Sequence, residues 1–96
     1  MYQVFATKQV AKEAKKRGKL FKKKITIILA QLSIDPKPTN TEILSGTLSF
    51  MYSYHFNFQS VAYRLAYQID EEKKKIIALM VGPRENFYEK LRRKLG

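Results

Sequence analysis

Arg64 lies between two alanines in the run Ala62-Tyr63-Arg64-Leu65-Ala66-Tyr67. Side chains of an extended strand alternate between its two faces, so the guanidinium shares a face with small Ala62 and Ala66, which leave room for a ligand. A planar guanidinium matches phosphate or carboxylate geometry; Arg64 therefore holds an anionic ligand or pairs with a carboxylate of the protein itself. Arg84 follows Gly82-Pro83, where the sequence predicts the first turn of a last helix. Free N–H groups and the helix dipole favour an anion there. A phosphate seated between guanidinium and helix end accounts for Arg84, as does an ion pair with neighbouring Glu85. Tyr88 is four residues further on, on the same predicted helical face, either as a phenol addressing the same site or as a packed aromatic. His55 is the one histidine, a general acid or base near neutral pH or else a hydrogen-bonded sheet residue.

Composition narrows the chemistry. The chain has no cysteine, which removes thiolate nucleophiles, disulfide frameworks and Cys-based zinc sites and fits a cytoplasmic location. A lone histidine argues against a transition-metal site, and no cofactor is implied. Nowhere is there the run of roughly 18 apolar residues that a membrane span needs, nor a signal-peptide pattern. Nineteen Lys and Arg against eight Asp and Glu leave a formal charge of +11, the footprint of a polyanion binder. That charge sits at the two ends: +8 over residues 1–34 and +6 over residues 73–96, against −3 between them. Lys22, Lys23 and Lys24, Lys73, Lys74 and Lys75, and Arg92 and Arg93 are solvated faces by default, and their agreement with the overall charge makes them candidate phosphate contacts.

These residues need a frame. Ninety-six residues with 45% hydrophobic content predict a single ordered domain over 1–96. Residues 2–6 read as a short strand, followed by a helix capped by Thr7, with Val10, Ala11 and Ala14 on one face and Gly18 as its stop. Phe21, Ile25, Ile28, Leu29 and Leu32 form the apolar stripe of a second helix. Residues 34–46 form a surface connection in which Glu42 to Leu44 allows a helical turn.

From Ser49 to Gln59 the chain alternates without a miss. Phe50, Tyr52, Tyr54, Phe56 and Phe58 share one face; Ser49, Met51, Ser53, His55, Asn57 and Gln59 share the other, which is too polar for a core and is expected to be open, with Asn57 and Gln59 as candidate nucleic-acid contacts. The next strand has Val61, Tyr63, Leu65, Tyr67 and Ile69 on its apolar face, and a third, Lys75 to Val81, is apolar on both faces and so central or covered. Phe87, Leu91 and Leu95 line the last helix. The order predicts an α+β fold: a largely antiparallel sheet, two N-terminal helices packed on one face, and a C-terminal helix. The helices would cover the aromatic face and leave His55, Asn57 and Arg64 exposed.

The stretch Tyr63-Arg64-Leu65-Ala66-Tyr67, the acidic turn Asp70 to Glu72, the apolar strand into Gly82-Pro83-Arg84 and then Phe87-Tyr88 resembles the RelE/ParE toxin superfamily. The resemblance is specific over residues 61–95 and looser over the N-terminal helices. It implies a RelE-like fold and, for the RelE branch, a toxin of a type II toxin-antitoxin pair that cleaves messenger RNA on the ribosome without metal, driving a ribose 2′-OH onto the adjacent phosphate. It further implies a cognate antitoxin as partner beside ribosome and mRNA, and no membrane. By the same resemblance Arg64 and Arg84 are the cations around the phosphorane, and Tyr88 stacks or hydrogen-bonds at the scissile position. RelE carries lysines where this chain has His55 and Asn57, and its spacing before the tyrosine is longer. His55 is then the replacement base, since a neutral imidazole suits that task better than an ammonium. A ParE-like gyrase poison and a non-catalytic RNA-binding module are the alternatives.

Overall fold

The strict alternation of the aromatic segment and the two helical stripes both find their partners in one structure. The computed structural model describes residues 1–96 and runs β1 (Gln3–Ala6), α1 (Lys8–Arg17), α2 (Lys19–Ile34), β2 (Thr41–Ile43), a 3-10 turn (Gly46–Leu48), β3 (Tyr52–Phe58), β4 (Val61–Asp70), β5 (Lys75–Pro83) and α3 (Phe87–Leu95). The five strands form one mixed sheet in the order β1-β5-β4-β3-β2. β1 is parallel to β5 and the other pairs are antiparallel. Gly18 ends α1 at φ 103° and ψ 175°, a conformation essentially confined to glycine.

The stripe of α2 is the centre of the larger core. Phe21, Ile25, Ile28 and Leu32 are buried with Val10 and Ala14 of α1 against Tyr54, Phe56, Tyr63, Leu65 and Tyr67. Phe21 meets Tyr63 edge-on at 5.0 Å and Phe58 at 5.1 Å, a geometry that aligns ring edges with ring faces. Arg17 closes this layer by donating to the Tyr63 hydroxyl at 3.1 Å while its Nε pairs with Glu13 at 2.6 Å. Fully buried Tyr67 donates its hydroxyl to the Pro36 carbonyl at 2.6 Å and so fastens the 34–46 connection to the sheet.

Several boundaries differ from those the alternation suggests. The 49–59 pattern becomes a strand only from Tyr52; Phe50 is 53% exposed outside the aromatic face. Gln59 lies in the two-residue β3–β4 turn with Ser60, at φ 49° and 66°, because a tight hairpin with matching twist needs positive φ at both positions. Thr41 to Ile43 pairs with β3 as an edge strand, not as a turn of helix. β5 continues through Gly82-Pro83, and α3 starts at Phe87. Pro83 is tolerated in a strand because β5 there outruns β1, leaving no neighbour for the N–H that proline lacks.

The sheet face expected to be open is open only in part. Leu44, Leu48, Met51, Ala66, Met80, Phe87 and Leu91 form a second core under α3, and Ser53 is fully buried there. The amphipathic last helix has to cover its Phe87 and Leu91 stripe, and the first face is already filled by α1 and α2. A bulge where Ala66 pairs with Met80 but Tyr67 with Ala78 lets β5 serve both layers: Ala78 and Val81 join the aromatic core, while Met80 joins the second.

Candidate functional site

The end of the sheet that α3 leaves uncovered holds the candidate residues. β3 and β4 are in register with His55 opposite Arg64, and Arg64 opposite Gly82 of β5, so a small residue lies on one side of the guanidinium and the imidazole on the other. The backbone of His55 is held from the edge: its N–H donates to the Asn40 carbonyl at 2.9 Å, and Asn40 Nδ2 donates to its carbonyl at 3.0 Å. A cavity of about 260 Å³ is lined by His55, Asn57, Ala62, Arg64 and Arg84 among others. Arg84 reaches this cavity from the turn after β5, where its N–H donates to the Ala62 carbonyl at 2.9 Å. It is not in a helix first turn, so neither the dipole argument nor its predicted helical face with Tyr88 holds. Extra residues in β5, not helix geometry, carry it there.

Tyr88 enters from the first turn of α3. Its ring lies under the Arg64 guanidinium at 5.8 Å, within cation–π range. Its hydroxyl donates to Glu42 Oε1 at 3.0 Å and lies 3.3 Å from Ser53 Oγ. Glu42 Oε1 is also 3.8 Å from His55 Nε2. The cluster is therefore a carboxylate, an imidazole, a phenol and a guanidinium, contributed by β2, β3, α3 and β4.

Electrostatics suit proton transfer. Burial lowers the His55 pKa below its ordinary value of about 6.5, Arg64 lowers it further, and Glu42 opposes both. The imidazole is thus neutral at pH 7 and able to accept a proton. Burial raises the Tyr88 pKa, so the phenol keeps its proton at neutral pH. His55 Nε2 and Arg64 Nε are buried atoms that make no hydrogen bond within the protein. Buried polar atoms normally have partners, and these two belong to side chains lining the same cavity.

The remaining candidates are dispersed. Lys22, Lys23 and Lys24 are on α2, across the sheet from His55 and Arg64. Lys73, Lys74 and Lys75 are at the other end of the β4–β5 hairpin, roughly 20 Å along the strand from Arg64 at about 3.3 Å per residue. Lys74 and Lys75 instead lie over the rings of Tyr2 and Phe5. Gln59 is in the hairpin turn, and Arg93 is exposed on α3. Arg92 borders a depression that also includes Glu42 and Tyr88. Sequence reasoning missed Glu42 and Ser53: a three-residue edge strand is too short to show alternation, and Ser53 looked like one more open-face polar residue. No group of three or more His, Cys, Asp and Glu is placed to hold a metal ion, and no helix is long and apolar enough to cross a membrane.

A family model described as the ParE-like toxin of type II bacterial toxin-antitoxin systems matches residues 4–92. Among solved structures, the toxin-antitoxin complex RelBE2 of Mycobacterium tuberculosis contains a chain 24% identical, with a TM-score of 0.70 over 86% of this chain and 98% of that one. The isolated Escherichia coli RelE toxin is 20% identical, with a TM-score of 0.66 over 100% of both chains. The archaeal RelE-RelB complex of Pyrococcus horikoshii contains a chain 25% identical, with a TM-score of 0.66 over 88% of this chain and 96% of that one. No curated protein matches the sequence significantly.

Proposed function

Because the chain belongs to the ParE-like toxin family of type II bacterial toxin-antitoxin systems and has the fold of the RelE toxins, we propose that it is a metal-independent, ribosome-dependent endoribonuclease. In this reading it cleaves mRNA in the cytoplasm and is held inactive by a cognate antitoxin. The observation that carries the reading is the pairing of a neutral, half-buried imidazole with a guanidinium across one ladder rung, each with a buried nitrogen that makes no hydrogen bond within the protein.

The groups divide the reaction among them. His55 takes the proton of a ribose 2′-OH as its oxygen attacks the adjacent phosphorus. Arg64 and Arg84 stabilise the charge that builds on the phosphoryl oxygens. The bond from phosphorus to the 5′ oxygen breaks, leaving a cyclic 2′,3′-phosphate on one product. The departing oxygen takes the Tyr88 proton; it is a far stronger base than phenolate, so the raised pKa of Tyr88 does not prevent the transfer. Arg64 over the ring stabilises the phenolate until it is reprotonated. Glu42 orients the phenol and holds charge near the imidazole. Asn57, which is neither base nor cation, lines the cavity as a hydrogen-bonding group.

A gyrase poison is the second reading, favoured by one finding: the matching family model is the ParE-like one. Purified protein added to programmed ribosomes, and separately to gyrase with supercoiled DNA, decides between them. Messenger cleavage in the ribosomal A site supports the first; trapped gyrase–DNA complexes support the second.

A further inference from the structure

A second basic groove, outside the His55 cluster, opens where β5 outruns β1. Its floor is the free edge of Val81 to Pro83, one wall is α1 with Gln9, Lys16 and Arg17, and the other is α3 with Lys90 and Lys94. The enclosed volume is about 370 Å³. Gln9 lies along the floor, its side-chain amide standing in for the missing strand: Val81 N–H donates to Gln9 Oε1 at 3.1 Å, and Gln9 Nε2 donates to the Val81 carbonyl at 3.4 Å. The edge is thereby blocked to an added β-strand.

The charge in this groove is uncompensated. Glu13 is its one carboxylate and is engaged by Arg17 at 2.6 Å, while Lys16, Lys90 and Lys94 pair with no carboxylate. The apolar lining residues Met80, Val81 and Phe87 are already buried, at 5% exposure or less. A protein partner needs exposed apolar anchors to displace water, and this groove has none. A chain of phosphates needs only the cations.

The groove is also continuous with the candidate site. Pro83 borders both it and the depression formed with Ala62 and Arg84, and those two residues in turn border the cavity of His55 and Arg64. Gly82, a groove residue, is the ladder partner of Arg64, so the two lie one strand spacing apart, about 5 Å.

We propose that this groove is an extended subsite for single-stranded RNA, in which Lys16, Lys90 and Lys94 hold the phosphates flanking the cleaved one. The inference rests on the ribonuclease reading for the position of the cleaved phosphate, but its charge arithmetic is independent of any cleavage.

The test compares binding of a trinucleotide and of a single-stranded RNA of roughly twelve nucleotides across a range of salt, for the unaltered protein, for Lys16→Ala/Lys90→Ala/Lys94→Ala, and for Lys8→Ala/Lys15→Ala/Lys19→Ala. All six lysines are exposed, so both triple variants are expected to keep the fold, which circular dichroism checks. Each phosphate contact contributes about 0.7 to the logarithmic salt slope for a single strand, so the groove variant is expected to lose about 2 from its slope on the longer RNA and bind it at least ~10-fold more weakly at low salt. Trinucleotide affinity and the control variant's slope stay unchanged. Equal slopes in the unaltered protein and the groove variant overturn the proposal, as do equal losses in both triple variants, which reduce the effect to net charge. A groove variant that loses duplex DNA binding but keeps RNA binding overturns RNA as the occupant. Slope loss without any ribosomal mRNA cleavage by the unaltered protein supports the groove and removes the cleavage reading instead.

Discussion

His55 stands directly opposite Arg64 in the β3–β4 ladder, where the guanidinium adds to burial in lowering the imidazole pKa below its ordinary value. In the proposed reaction the cation and the base are thereby a single strand apart. The same pairing that lowers the imidazole pKa would bring positive charge to the phosphate of the proposed reaction.

The pH profile follows from this pair. A base must be unprotonated, so cleavage rises with pH through the His55 pKa, and kcat/KM reports the free protein. Because burial and Arg64 depress that pKa, the inflection is expected below about 6.5. His55→Gln removes the inflection and slows single-turnover cleavage by about 10² to 10⁴. Full activity with an unchanged profile would transfer the proton to another group.

Glu42 acts on the same profile with the opposite sign. Its carboxylate raises the His55 pKa, so Glu42→Gln is expected to move the inflection further towards acid while leaving the neutral-pH form of His55 intact. An inflection that stays in place or moves towards alkali would separate Glu42 from the imidazole.

Arg64→Ala and Arg84→Ala are each expected to lower cleavage by about 10² or more, through lost stabilisation of phosphoryl charge. Arg84 is exposed and Arg64 half-buried at an open cavity, so circular dichroism and antitoxin binding should change little. Unfolding of either variant would mark that arginine as structural.

Tyr67 tests the frame apart from the chemistry. Its buried hydroxyl bonds to the Pro36 carbonyl, and burial pushes its pKa up to about 12. Tyr67→Phe leaves that carbonyl without its donor and is expected to cost about 1–2 kcal/mol in denaturant unfolding. The residue belongs to the aromatic layer, on the other face from Arg64, so cleavage by the folded variant should be unchanged. A loss of activity at full stability would connect the two layers.

Periodicity along the chain was enough to determine the two helices, the three long strands, the α+β class and the face of β3 and β4 on which His55, Asn57 and Arg64 lie. Each of those is a local property, because the alternation of a strand and the stripe of a helix repeat within a few residues of sequence. The charge excess and the Tyr63 to Tyr67 motif were legible for the same reason. Tertiary structure decided the rest. Only the β2–β3 register and the docking of α3 bring Glu42 to Tyr88 and His55, across 46 and 13 positions of sequence. Only the length of β5 shows that Arg84 reaches the cavity from a strand end, and only the layering shows that Lys22 to Lys24 lie on the far side of the sheet. Pairing register and helix docking depend on burial summed over distant segments, and no spacing within one segment reports that sum.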